Sequence, residues 1–130
     1  MRKLVPTLGL DKVEWLRYRK RGLGGSDAGA VCGLNPYRTA MQVYQDKTTD
    51  EIEETDNEAM RQGREFEDYV ARRFMEATGK KVRRANYMYY DEEHPFMLAD
   101  VDRMIVGENA GLECKTASPY MAEKWADGNI

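Results

Sequence analysis

Glu113, Cys114 and Lys115 set a carboxylate and an ammonium two residues apart. On an extended strand both point to one face, while Leu112, Cys114 and Thr116 take the other. Upstream, Asp100 and Asp102 are also two apart and would share a face of the preceding strand. Carboxylates on adjoining strands can hold a divalent cation through hard oxygen ligands, and a lysine beside them can help polarise a water. The same spacing also suits an ordinary same-face ion pair on a solvated sheet. A third acid is placed less ordinarily. Met60, Gly63, Val70, Ala71 and Phe74 recur at the three- and four-residue spacing of an apolar helical stripe, and Glu67 falls inside it. Glu65, Asp68 and Glu76 fall outside, where a soluble helix carries its charges. A carboxylate on a covered face costs on the order of several kcal/mol unless it is paired or binds a metal. Glu67 is therefore either the partner of a buried arginine or a third acid of the site.

The elements that must position these residues are legible as a pattern. Gly107-Glu-Asn-Ala-Gly111 is a glycine-bounded polar turn between two β-rich runs, which predicts a hairpin over residues 98–116. The long helix is expected from about Asn57 to Thr78, capped by Thr55 or Asp56 and stopped by Gly79. Ahead of it, a helix runs from Asp11 to about Arg21 and ends at Gly22. A second helix takes Ser26 as N-cap and Gly33 just past its end, and Thr39 caps a third through about Lys47. Residues 48–57 read as an exposed acidic loop. Asn86–Tyr90 reads as a strand, Asp91–Pro95 as a turn, and Ser118-Pro119 as the start of a last helix. The fold class is α+β: one long helix on a small, mostly antiparallel sheet, with N-terminal helices. Residues 1–130 form a single domain with no internal repeat.

Composition bounds the function. With 42% hydrophobic and 33% charged residues, the chain has the make-up of a soluble globular protein. No apolar run approaches the roughly 20 residues of a membrane span, and the N-terminus lacks a signal-peptide core. Cys32 and Cys114 have no metal-ligand spacing and read as reduced thiols of a cytoplasmic protein. His94, the single histidine, sits in an acidic turn and cannot build a zinc site. The net charge of −3 hides an uneven distribution. Residues 1–40 carry eight Arg and Lys against three acids, whereas residues 46–58 carry seven acids against Lys47. A basic N-terminal region offers a face to phosphates. Within it, Gly22-Leu-Gly-Gly-Ser26 leads into a helix start, a place where backbone amides attract an anion, with Arg19 nearby in sequence. A plain capped helix after a loop is the alternative.

A Glu on a helix, an Asp on a strand and then Glu-x-Lys, in that order, resemble the PD-(D/E)xK nuclease superfamily. The closer resemblance is to the phage lambda exonuclease and YqaJ-type viral recombinase nucleases, from Trp15 to about Lys124. Trp15-Leu-Arg-Tyr-Arg19 with Ser26 resembles that family's Trp-x-x-x-Arg and following Ser. Gly63-Arg-Glu-Phe-Glu67 resembles its Gly-x-x-aromatic-Glu, and Asp91 an acid ahead of the active-site strand. Asp102 stands at the Asp of Ser-Pro-Asp-Gly, and Gly111-Leu-Glu-Cys-Lys115 resembles Gly-Leu-Glu-x-Lys. The family's Pro is Val101 here and its Gly is Arg103, so Asp100 stays a rival to Asp102. Family members also continue through a later strand and a Gln-containing helix, which makes this chain look C-terminally truncated.

The resemblance implies a restriction-endonuclease-like core and metal-assisted phosphodiester hydrolysis. Asp102, Glu113 and the Cys114 carbonyl would hold Mg²⁺ or Mn²⁺, Glu67 would hold a second ion directly or through water, and Lys115 would orient the attacking water. Arg19 and Ser26 would anchor a 5′-terminal phosphate, giving 5′→3′ polarity on double-stranded DNA, with Asp91, Asp100 and Trp15 as supporting residues. The resemblance further implies a homotrimeric ring, a single-strand-annealing recombinase as partner, and action in a bacterial or phage-infected cell away from the membrane. An endonuclease or nickase on the same core, or an inactive DNA-binding or structural fragment, are the rival readings.

Overall fold

The computed structural model describes residues 1–52 and 55–126. Along the chain run β1 (Arg2–Pro6), α1 (Lys12–Arg19), α2 (Gly25–Val31), α3 (Ala40–Thr48), α4 (Glu58–Thr78), β2 (Val82–Arg84), β3 (Tyr87–Tyr90), β4 (Leu98–Ala99), β5 (Arg103–Ile105) and β6 (Gly111–Leu112), then a 3₁₀ turn (Pro119–Met121) and α5 (Ala122–Ala126). The α+β expectation holds: a long helix accompanies small antiparallel sheets. The strands form two three-stranded sheets, in the orders β1-β3-β4 and β2-β5-β6. The predicted run from Phe96 to Val106 is broken because residues 100–102 leave the strand conformation. The chain divides into two units, Met1–Thr55 with Arg84–Val101, and Asp56–Arg83 with Asp102–Ile130.

In the first unit, β1 pairs with β3 in a register that sets Val5 against Met88 and shifts between Lys3 and Val5. Val5 and Met88 are both core residues, with Met88 only 1% exposed. The segment after α1 docks on the chain around β4. Leu23 N–H donates to the Phe96 carbonyl at 2.7 Å, and Leu98 N–H to the Leu23 carbonyl at 2.9 Å. Gly22 makes this approach possible, because a Cβ there would run into the Phe96 carbonyl oxygen and lie 2.9 Å from Leu98 Cγ.

The start of α2 differs from the sequence expectation. Gly24, not Ser26, is the N-cap, and Ser26 lies inside the first turn. Asp27 reaches back to accept from Gly24 N–H at 2.9 Å, the acidic half of a capping box. Gly33 does lie just past the helix, at φ +74°. Thr39 caps α3 together with Gln42, as expected.

In the second unit, Asn57 caps α4 by accepting from Met60 N–H at 2.9 Å. The expected cap Asp56 instead takes the Arg64 guanidinium in two bonds of 2.9 Å. Gly79 ends the helix at φ +71°, where a side chain would be strained. The apolar stripe is the less exposed side of α4 from Gly63 onward, with Ala71 buried. The β5–β6 hairpin sets Arg103 against Leu112 and Met104 against Gly111, and Gly107 takes φ +82° in its turn. The expected partner strand Leu112–Thr116 is shorter than the pattern suggested, since pairing ends at Leu112. Arg103, 4% exposed, joins β5 to α4 through its ion pair with Glu67.

Two outcomes test these packing relations. Gly22→Ala should cost about 2–3 kcal/mol, because a rigid backbone carbonyl must move; an unchanged urea midpoint would show that this approach is not tight. Arg103→Met should cost about 3 kcal/mol by leaving the half-buried Glu67 carboxylate unpaired, and adding Glu67→Gln should recover most of it. If the double variant is no more stable than Arg103→Met, the two side chains do not act as a pair.

Candidate active site

Glu67, Asp102, Glu113 and Lys115 belong to the second unit, and the charges of Asp102, Glu67 and Glu113 act on the Cys114 thiol. Asp102 lies just ahead of β5, outside the ladder, so its carboxylate is free to turn along the hairpin. Its Oδ2 accepts from Cys114 N–H at 2.7 Å. That bond sets Asp102 against the middle of Glu113-Cys-Lys115. Past the end of β6, Lys115 Nζ lies 3.2 Å from Glu113 Oε1, and both side chains are more than half exposed. Burial pushes the Cys114 thiol up. Asp102 adds to that rise, Arg103 opposes it, and Glu67 and Glu113 add to it again. With its N–H bound to Asp102, Cys114 has its backbone carbonyl as the hard oxygen donor it can offer.

Glu67 enters this cluster already engaged. Arg103 Nη1 donates to its Oε1 and also to the Asp102 carbonyl at 2.9 Å, while Nη2 lies 3.8 Å from Asp68 Oδ1. The buried-arginine alternative for Glu67 is thus the arrangement found. Arg103 itself had one sequence signal, its departure from the glycine that the resemblance places after the Asp.

The donor set suits a hard divalent cation. Asp102 and Glu113 offer carboxylate oxygens and Cys114 a carbonyl, all oxygen ligands of the kind Mg²⁺ and Mn²⁺ take. Among the described residues no three His, Cys, Asp or Glu side chains converge closely enough to hold an ion by themselves. Two carboxylates, a carbonyl and waters are a sufficient shell for Mg²⁺, which keeps several waters in most protein sites.

The other predicted residues lie in the first unit. Arg19 Nη2 donates to Ser26 Oγ at 3.1 Å, and its guanidinium stacks on the Trp15 ring at 4.9 Å. Trp15 Nε1 in turn donates to Asp100 Oδ2 at 2.6 Å. Asp100 and Asp102 do not share a strand face, because the chain between β4 and β5 is irregular. Asp100 serves the tryptophan, whereas Asp102 serves the Glu-x-Lys segment. Asp91 accepts from the Glu93 and His94 N–H groups at 2.9 and 2.8 Å, and the His94 amide leads in holding its carboxyl below the ordinary range. Its structural work is to close the turn before β4.

Asp27, Arg38 and Lys47 were not singled out by the sequence. Asp27 is 1% exposed and is held by Arg38 Nη1 at 2.8 Å and Lys47 Nζ at 3.2 Å. Burial alone would raise its carboxyl. The Gly24 amide, Lys47 and Arg38 outweigh burial and hold the carboxyl below the ordinary value. Lys47 Nζ also donates to the Arg19 carbonyl at 2.8 Å, so the same network fixes the end of α1. These residues, with Leu16, Arg19 and Lys20, line a small cleft. The expected free amides at the start of α2 are not on offer at Gly24, whose N–H is taken by Asp27. The only sequence signal was the small-residue run ending in Ser26-Asp27.

Known proteins resemble this chain in fold and in sequence. In fold the chain is similar to the crystal structure of LHK-Exo in complex with dAMP, with a TM-score of 0.69 and 21% identity over 88% of this chain and 59% of that one. It is 45% identical over 122 residues to the uncharacterized protein YqaJ of Bacillus subtilis (strain 168), which covers 93% of this chain but 38% of that protein. Residues 14–130 match the YqaJ-like viral recombinase domain. The chain belongs to the family of YqaJ-like viral recombinase domains.

Proposed function

We propose that this chain carries the active-site residues of a metal-dependent DNA nuclease, a 5′→3′ exonuclease that works from double-stranded ends in phage-type recombination. The observation that carries the reading is the 2.7 Å bond from Cys114 N–H to Asp102, which joins the strand acid to Glu-x-Lys. Family membership supports the reaction class. Asp102, Glu113 and the Cys114 carbonyl are the residues that would hold Mg²⁺ or Mn²⁺. Held by these residues, the ion would supply Lewis-acid chemistry, activating a water and offsetting charge on the scissile phosphate. Lys115 orients the attacking water, and its ammonium favours the more anionic transition state. Water oxygen bonds to phosphorus as the phosphorus–O3′ bond breaks, and the water's proton leaves to bulk solvent or the departing O3′. Glu67 stands beside this centre through Arg103.

In the same reading, Arg19 and Ser26 hold the 5′-terminal phosphate, with Trp15 bracing the guanidinium and Asp100 bracing Trp15. Arginine can grip a phosphate through two parallel charge-assisted bonds, a geometry that lysine cannot copy. The working enzyme is a homo-oligomer, a trimeric ring in the resemblance, acting beside a single-strand-annealing recombinase in the bacterial or phage-infected cytoplasm. Among the described residues no helix is long and apolar enough to cross a membrane.

Two experiments on the intact protein test the proposal. Asp102→Asn and Glu113→Gln should each lower cleavage of linear duplex by at least about 10²-fold with the fold retained, whereas Asp100→Asn should cost far less. Loss with Asp100→Asn and none with Asp102→Asn would reverse the assignment, and efficient cleavage of closed circles would favour the endonuclease reading. Wild-type enzyme should also prefer 5′-phosphorylated over 5′-hydroxyl ends, and Arg19→Ala should remove that preference. Equal slowing of both ends by Arg19→Ala would make Arg19 part of a general basic face.

A further inference from the structure

A guanidinium sits beside Glu67, where the resemblance would place a second metal ion. Arg103 is 4% exposed, and Nη1 bonds both the Glu67 carboxylate and the Asp102 backbone carbonyl. Its Nη2 lies 3.8 Å from Asp68 Oδ1. These contacts come from β5 and α4, so the cation is fixed by two elements rather than held on a mobile side chain. It also neutralises Glu67 without occupying either oxygen of the Asp102 carboxylate, one of which meets the Cys114 amide.

We infer that Arg103 is a built-in cation that takes the place of a second divalent ion beside Glu67, so that the site holds one ion, on Asp102 and Glu113. The inference rests on the nuclease reading above and narrows it. A second dication beside Glu67 would meet the positive charge of Arg103 in a poorly screened environment and would have to share a carboxylate whose Oε1 the guanidinium already bonds. Glu67 is then a positioning residue. It holds Arg103, and Arg103 in turn holds the Asp102 backbone through the carbonyl. The positive charge that a second ion would bring to the centre is permanent here and independent of metal concentration.

The test is Mn²⁺ binding to the intact protein, read by the paramagnetic resonance of free Mn²⁺ during titration, with no DNA and no turnover. Wild type should take up one Mn²⁺ per chain, and Asp102→Asn should abolish that uptake. Glu67→Gln should still take up one Mn²⁺ per chain with a less than tenfold loss of affinity, since Glu67 positions Asp102 through Arg103 and is not itself a ligand. Arg103→Met should gain a second, weaker Mn²⁺ per chain at the freed Glu67, and Glu67→Gln/Arg103→Met should return to one. Two ions in the wild type, or a tenfold or greater loss of affinity in Glu67→Gln, would overturn the role of Arg103. No uptake by the wild type, or uptake unaffected by Asp102→Asn, would overturn the underlying metal site as well. Because the wild-type stoichiometry and Glu67→Gln leave Arg103 in place, the test survives if Arg103→Met does not fold.

Discussion

The buried pair between Arg103 and Glu67 is the constraint around which the second unit is arranged. Taking a guanidinium and a carboxylate out of water is costly, and the cost is met only when each finds partners in good geometry. Arg103 finds Glu67, the Asp102 carbonyl and the fringe of Asp68. The pair therefore dictates where α4 meets β5. It also fixes the backbone of Asp102, whose side chain turns to the Cys114 amide. Moving one partner alone would strand a charge, so helix, strand and site residue are fixed together.

The first unit is held in the same manner with the signs exchanged. Here the buried group is a carboxylate, Asp27, and the cations Arg38 and Lys47 come to it from α3 and the turn before it. Lys47 reaches on to the Arg19 carbonyl, and Trp15 stacks beneath the Arg19 guanidinium. Beside this network the half-buried Arg19 donates to the exposed Ser26 hydroxyl. In each unit a buried charge ties several elements together through its partners.

The apolar core is thin by comparison. Val5, Ala30, Val43, Ala71, Ala85, Met88 and Ile105 are its buried members, and most are small. Phe66 and Tyr69 on α4 are about half exposed, and Tyr120 is almost fully so. Polar ties such as Asp27 and Arg103 consequently carry more of the element-to-element geometry than they would around a large core.

The sequence by itself determined the elements whose signals are local. Periodicity marked α4, and Gly79 stopped it because that position needs φ +71°. Thr39, Gly33 and Ser118 did their expected capping work, since a cap depends on groups within a turn of each other. The Glu-x-Lys spacing and the hairpin turn were legible for the same reason. Only the tertiary structure decided which group each acid meets. Asp100 and Asp102 look equivalent in an ideal strand, yet the irregular stretch between β4 and β5 sends one to Trp15 and the other to Cys114. β1 was invisible because its register against β3 is a contact between residues some 85 positions apart. The pairing of Glu67 with Arg103, and the gathering of Arg38 and Lys47 on Asp27, were likewise hidden. A charge within an apolar pattern announces that it must have a partner, but long-range packing alone chooses which partner arrives.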